Sequence, residues 1–317
     1  MDTSSKAMNE NTLAGLHEGT RLAIVVVTYN SAEVIGGLLN SLPSGLTGLG
    51  DTEVVIVDNN SRDTSVEIAA SHPVGVRIIQ TGRNAGYAAA INAADASIDA
   101  EKNLLILNPD IRLEPGCALT LMEQLRDPAI GLAVPQLLHE DGSTAHSLRR
   151  EPSLITSWSD SLLGTSLAGR LGLGEIVKDE GMYRSGGPVD WASGAALAIS
   201  ARARKAVGKW DETFFLYSEE VDYMERVRRC GLKVAFQPAA RAIHIGGEYH
   251  GNTGLSALMT SNRIHYYGRH HGAAATFLFR LGIITGEVMR YGLGPGHRAA
   301  LSAALRPHLE YRAALQR

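Results

Sequence analysis

Residues 103–113 read NLLILNPDIRL. Leu104 to Leu107 form a short unbroken apolar run, as expected of a central strand covered on both faces. Pro109 has no N–H to give to a ladder, so the strand must stop at Asn108-Pro109-Asp110. Asp110 is thereby placed at the C-terminal end of a strand, where open α/β sheets hold their ligands. A carboxylate fixed there suits a divalent cation bound through oxygen. Asn-Pro-Asp is also ordinary turn chemistry, so the neighbouring stretches must decide between the two.

Upstream, three similar units precede this one. Residues 21–27 (RLAIVVV) end in Thr28-Tyr29-Asn30-Ser31, and a helix is expected over 34–42. Residues 53–57 (EVVIV) end in Asp58-Asn59-Asn60-Ser61-Arg62-Asp63-Thr64, with Asp63 or Thr64 as helix cap. Residues 76–80 lead through Thr81-Gly82-Arg83-Asn84-Ala85-Gly86-Tyr87 into an Ala-rich helix. Strand, polar loop and helix repeated in this way predict an α/β fold: a mostly parallel, doubly wound sheet with its polar loops along one edge. The first loop is not Gly-rich and no GxxxxGK[ST] loop is present, so a dinucleotide fold and a P-loop are excluded. A helix opening at Pro115 and a strand over 130–138 follow, then a turn at 139–142.

The second half is less regular. Residues 151–180 are rich in Ser, Leu and Gly without a period and read as a mobile loop over the site. Residues 190–200 (DWASGAALAIS) put small residues beside Trp191, as a chain passing close to a ligand would. Ser218 is placed to cap a helix through Arg229 that Gly231 closes. Its first turn carries Glu219, Glu220 and Asp222, which would oppose the helix dipole whatever else they do.

A net charge of −3 over 317 residues argues against a nucleic-acid partner. From Asn262 onward eight Arg stand against two Glu, a local +6, which leaves −9 for the rest. A basic tail of this kind suits an anionic membrane surface. Within it Phe277, Leu281, Ile284 and Val288 share one helical face, to be laid on a membrane or buried on the domain or in a homodimer. Cys117 and Cys230 suggest neither disulfide nor zinc. Residues 1–20 are expected to be a mobile extension without an export signal, so the chain is expected to be cytoplasmic.

Taken together, VVVTYNS, VIVDNNSRD, GRNAGYAAAIN, LILNPDI, VDWASGAALAIS, WDETFFLYSEEVDY and AIHIGG resemble the inverting family 2 glycosyltransferases of the GT-A fold. More narrowly they resemble the rhamnosyltransferase-like branch of bacterial surface-polysaccharide synthesis. The resemblance covers residues 21–272, with a nucleotide-binding half (21–138) and an acceptor-side half (139–272), and leaves 273–317 as a helical extension. It implies that Thr28, Tyr29, Asn30, Asp58, Asn84, Gly86 and Asn108 line the nucleotide and its sugar, with Asp58 at the base. It implies a Mg2+ or Mn2+ ion at Asp110 and His244, with Asn108 standing where the family's DxD motif has its first Asp. Glu220 falls on the catalytic Asp of the family and would be the general base. Trp191, Gly194, Glu219 and Asp222 would surround the donor sugar and acceptor. The implied reaction moves a sugar from a nucleoside diphosphate to a lipid-linked saccharide at the inner membrane face. dTDP-L-rhamnose is the favoured donor; UDP-N-acetylglucosamine, UDP-galactofuranose and a mannose donor are alternatives. A sugar nucleotidyltransferase would want a Gly-rich basic loop after the first strand. A non-catalytic binding protein has no need of both Asp110 and Glu220.

Overall fold

The structure, a computed structural model, describes residues 21–246 and 252–306. The N-terminal extension (1–20), Gly247 of the AIHIGG stretch and residues 307–317 of the basic tail lie outside the described residues.

The repeat legible in the first half is present as β1 (Leu22–Thr28), α1 (Ala32–Gly45), β2 (Thr52–Asp58), α2 (Ser65–Ser71), β3 (Arg77–Gln80), α3 (Tyr87–Asp95) and β4 (Asn103–Leu107). β1 runs parallel to both β2 and β4, and β2 parallel to β3. Every residue of β1 is buried, alternately toward two cores. Leu22, Ile24 and Val26 meet Ile35, Leu38 and Leu42 of α1; Ala23, Val25 and Val27 meet Ala90 and Ile91 of α3. That two-sided burial is why the strand is a continuous apolar run. Truncating Ile24 to Ala would cost about 2–5 kcal/mol.

Beyond β4 come β5 (Ile111–Leu113), a strand not expected from sequence, then α4 (Cys117–Gln124), β6 (Ile130–Leu138) and β7 (Leu148–Arg149). α4 opens after Gly116, in the left-handed region at φ 71°, rather than at Pro115. The expected turn at 139–142 closes with Gly142 N–H donating to His139 O at 2.9 Å.

Residues 151–180, expected to be a mobile loop, instead contain α5 (Leu154–Leu163) and α6 (Thr165–Arg170). Ser153 and Thr156 make a reciprocal capping box at the start of α5. The missing period has a physical cause: Ile155, Leu162, Leu163 and Leu167 are exposed, so apolar residues do not mark the buried face. What fixes the segment is charge. Asp160 Oδ2 accepts from Glu175 N at 3.2 Å, and Glu175 and Glu151 are ion-paired with Arg263 and Arg228.

The chain continues through α7 (Glu180–Ser185), β8 (Gly187–Val189), β9 (Trp191–Ala192), β10 (Ala196–Ile199), α8 (Ala201–Val207), α9 (Glu219–Arg229), β11 (Lys233–His244), α10 (Thr253–His270), α11 (Ala273–Met289) and α12 (Pro295–Leu305). The main sheet has the order β3-β2-β1-β4-β10-β6-β11-β5, with β8 also on β11. β10 enters antiparallel between β4 and β6. Its approach brings Ala195 O to Asn108 N at 2.9 Å, which sets the Ser193-Gly194 turn beside the Asp110 loop.

The boundary expected at 272 falls inside a helical unit: Ile264 and Tyr267 of α10 share a core with Phe279 and Ile283 of α11 and Ala304 of α12. The face of α11 that is buried is not the one its hydrophobicity marks. Phe279, Gly282, Ile283 and Gly286 are inside, whereas Phe277, Leu281 and Val288 are 63%, 37% and 55% exposed. A Cβ on Gly282 or Gly286 would crowd Ser157 or Ser161 of α5 to 2.8 Å, so close helix approach rather than apolar area sets the contact. Among the described residues no helix is long and apolar enough to cross a membrane.

Candidate functional site

The loops after β1, β4 and β9 and the start of α9 enclose a cavity of about 680 Å3, walled by Asn30, Asn108, Asp110, Gly194, Glu219 and Glu220 among others. This is the C-terminal edge of the parallel strands, where the sheet order reverses around β1 and β4. Asn108 is held by the Tyr87 hydroxyl, which donates to its Oδ1 at 2.9 Å. Asn30 sits at φ 51° and accepts the Arg62 N–H at 2.8 Å.

Asp110 lies in the turn between β4 and β5. Its Oδ1 is buried without a hydrogen-bond partner. Its Oδ2 is 3.2 Å from His244 Nε2, yet that nitrogen makes no aligned hydrogen bond. Two donor atoms this close and unaligned to one another suit a shared third atom between them. A Cβ at Gly246 would overlap Asp110 Oδ2, so any larger residue there would displace this carboxylate oxygen. No group of three or more His, Cys, Asp or Glu side chains is clustered for a metal among the described residues. Asp110 and His244 therefore fit a hard cation only of the kind that takes its other ligands from water and a bound phosphate.

Glu219 and Glu220 open α9 from an unusual turn. Tyr217 and Ser218 have φ 70° and 72°, and Asn262 Nδ2 of α10 holds the carbonyls of Leu216 and Tyr217 at 2.8 and 3.1 Å. Ser218 occupies the cap position but its side chain accepts no hydrogen bond there, contrary to the expectation of an ordinary Ser cap. Each of the two glutamates has a buried Oε2 without a partner. Burial, then the charge of Glu220, pushes Glu219 well above the usual carboxylate range. Burial raises Glu220 to about 7, against the lowering effect of the first-turn N–H groups and of Arg149. Asp222 behaves otherwise. It is buried away from the cavities, and its Oδ2 accepts from Arg226 Nε at 2.8 Å. Asp222 is thus taken up in a salt bridge along its own helix, and the expectation that it meets sugar is corrected.

A second cavity, of about 360 Å3, lies between β7, α5, α6, α9, α10 and α11, with Arg149, Trp191, Ser193, Tyr217, Glu220 and Arg263 on its walls. Trp191 is fixed by its Nε1 donating to Arg150 O at 2.9 Å. Tyr217, Ser193 and Glu220 wall both cavities.

The remaining sequence-derived residues lie around the first cavity rather than on it. Asp58 is buried and both carboxylate oxygens accept the Ser61 N–H, at 3.3 and 3.1 Å. Thr28 is buried with an unpartnered hydroxyl, and Tyr29 is exposed. Asn84 Oδ1 accepts from Gly86 N at 3.3 Å, and Gly86, at φ 92°, lies too close to the Phe215 backbone for a side chain. Sequence reasoning missed Arg149, Ser193, Tyr217 and Arg263 as wall residues. Arg149 lies in the Ser147–Pro152 run with its paired arginines, Ser193 in the small-residue stretch 190–200 and Tyr217 in the aromatic run before Ser218, so each had a local signal, whereas Arg263 had none. Cys117 is buried, its thiol pushed up to about 12 by burial, and neither cysteine is bridged.

The family model described as glycosyl transferase family 2 matches residues 23–177. The chain is 30% identical over 265 residues, 79% of its length and 85% of the relative, to N-acetylglucosaminyl-diphospho-decaprenol L-rhamnosyltransferase of Mycobacterium tuberculosis. It is 23% identical over 229 residues to rhamnosyltransferase WbbL of Escherichia coli, covering 70% of this chain and 82% of that one. Among solved structures, the mannosyltransferase PcManGT of Pyrobaculum calidifontis, in complex with GDP-Man and Mn2+, superposes with a TM-score of 0.55 at 14% identity, over 93% of this chain and 86% of that one.

Proposed function

We propose that this chain, which belongs to glycosyl transferase family 2 and has its GT-A fold, moves L-rhamnose from dTDP-L-rhamnose to a hydroxyl of a polyprenyl-diphosphate-linked N-acetylglucosamine, with inversion. The observation that carries the reading is Glu220, a buried carboxylate whose Oε2 has no hydrogen-bond partner, on the wall common to two cavities, one beside Asp110 and one beside Trp191. The first cavity takes the nucleotide sugar and the second the acceptor. The mycobacterial relative, by name an N-acetylglucosaminyl-diphospho-decaprenol L-rhamnosyltransferase, supports the sugar and the lipid.

Single displacement at an anomeric carbon needs a base on the acceptor hydroxyl, an in-line approach and stabilisation of the departing diphosphate. Glu220, raised to about 7, accepts the hydroxyl proton near neutral pH. Gly194 lies against its side chain, with a Cβ there only 3.5 Å from that of Glu220, and leaves the sugar room to approach. Trp191 and Tyr217 give the acceptor ring apolar faces. Asp110 and His244 would hold a Mg2+ or Mn2+ ion, whose Lewis acidity would help stabilise the departing diphosphate.

The surface around the acceptor cavity supports a membrane-bound acceptor. α5 and α6 contribute Asp160 and Thr165 to its wall, and α11 contributes Ile283 and Glu287. The same helices expose Leu162, Leu163, Leu167, Phe277, Leu281 and Val288. An apolar surface beside basic residues suits peripheral contact with an anionic leaflet.

A donor panel tests the reading. Purified protein, Mg2+, short-chain N-acetylglucosaminyl diphosphate lipid and each nucleotide sugar are combined, and product is read by mass. A deoxyhexose increment from dTDP-rhamnose alone is expected; transfer only from a UDP or GDP sugar overturns the donor.

A further inference from the structure

Three cavities meet at Ser193: those of donor and acceptor, and a third of about 590 Å3 beneath the turn after β6. Arg149 walls the second and third but not the first. In the acceptor cavity most charges are already paired. Arg263 holds Glu175 and lies 4.0 Å from Asp160, and Glu287 is 2.8 Å from His297. Glu220 and Arg149 are left, and neither has an ion-pair partner among the described residues.

Arg149 is held for use. Its Nη1 donates to His146 O at 2.6 Å and Leu148 O at 3.0 Å, and its guanidinium lies 5.9 Å from the Trp191 ring centroid. Nε and Nη2 make no hydrogen bond among the described residues, and the side chain lines both cavities. The third cavity adds His139, His146 and His244. His146 is held below its ordinary value by burial and then by the charges of Lys178 and Arg149. Of the acids there, Asp141 is engaged by the Ser143 N–H and hydroxyl at 2.9 and 2.6 Å, and Glu140 is exposed at the turn.

We propose that Arg149 binds the phosphate carried by the acceptor, forming a subsite for the sugar-linked diphosphate of the lipid, separate from the donor's diphosphate at Asp110 and His244. The inference rests on the reading of the acceptor given above and specifies how its charged end is held. A free guanidinium edge matches phosphate oxygens in paired N–H contacts, which an ammonium cannot reproduce. Because Arg149 is absent from the donor cavity and shares a wall with Glu220, the phosphate it meets is the one a sugar ring away from the reacting hydroxyl.

Two acceptors separate the possibilities: a short-chain N-acetylglucosaminyl diphosphate lipid and the octyl glycoside of the same sugar. Arg149→Gln is expected to raise KM roughly 10- to 100-fold for the first and far less for the second, with donor affinity by titration unchanged and partial rescue in Arg149→Lys. Equal losses on both acceptors, or weakened donor binding, would overturn the subsite. A titration with a short prenyl diphosphate, which needs no turnover, provides an independent arm. Binding that Arg149→Gln loses supports the subsite even if neither acceptor is glycosylated, in which case the sugar assignments fall alone. No binding by the wild type overturns the subsite.

Discussion

The side we propose for the donor and the side we propose for the acceptor, called donor side and acceptor side below, are built on different principles. The donor side is a stack of near-identical units, in which each loop is positioned by the strand before it and the helix after it. Its contacts are parallel ladders and two apolar cores. The acceptor side is assembled from β7, α5, α6, α9, α10 and α11, and its partners are far apart in the chain. Arg228–Glu151, Arg263–Glu175 and Tyr266–Glu151 span 77, 88 and 115 residues. The first side is held by shape and hydrophobicity, and the second largely by charge.

The contrast is broken most severely at the proposed metal site. Asp110→Ala should abolish transfer and remove the metal dependence of nucleotide binding, since Asn108 offers no second carboxylate. Nucleotide titrations with and without Mg2+ check this; metal dependence retained in the variant removes Asp110 from the metal site.

Next in size is the base. Glu220→Gln should lower kcat roughly 10²- to 10⁴-fold with donor affinity kept. In the wild type the rate should fall on the acid side of about pH 7, where Glu220 takes up a proton. The raised value also fixes a stability sign: between 4.5 and about 7 the folded protein holds a proton that the unfolded chain releases. Stability is thus lost as pH rises through that window, and Glu220→Gln should melt later than wild type at pH 8 but not at pH 4.5. If Glu219→Gln carries the kinetic loss instead, the base is one position earlier.

Charge as the adhesive of the acceptor side is tested by Arg263→Ala. Leaving Glu175 and Asp160 unpaired in a largely buried setting should cost on the order of 3 kcal/mol, read from denaturant unfolding. On the donor side, the more exposed Arg77–Glu53 pair at 3.3 Å should be worth under about 1 kcal/mol when Arg77 is truncated. Similar losses at the two sites would erase the distinction.

The smallest expected effect is at the surface. Phe277→Glu with Leu281→Glu should weaken binding to anionic vesicles by roughly tenfold or more while leaving turnover of a water-soluble acceptor intact. Removing α11 outright is the wrong cut, because Phe279 is core and Ile283 walls the cavity. Unchanged vesicle binding in the variant would mean that this face meets no bilayer.

The same division explains what could be read from the chain. β1 to β4 are two-sided apolar runs ending in polar loops, a local pattern that needs no partner to be recognised. Asp110 was placed at the end of such a run, whereas Glu220 was singled out from Glu219 and Asp222 by the family resemblance and not by any local pattern. Residues 151–180 were not legible, because the groups that order them lie on α9 and α10, outside any local window. Asp222 was misplaced since a carboxylate one turn from Arg226 looks, in sequence, like its neighbours Glu219 and Glu220. On α11 the apolar stripe was visible, but two glycines turned the opposite face inward.

The turn before Glu219 carries a consequence for how the enzyme comes into being. Two successive non-glycine residues in the left-handed region cost about 1–3 kcal/mol each. The amide that steadies the turn belongs to Asn262, 46 and 45 residues further along. A chain emerging from the ribosome can therefore complete its main sheet while Glu220, the proposed base, still has no fixed direction. Catalytic competence arrives late, when α10 docks, so a nascent or C-terminally nicked chain would hold donor without spending it.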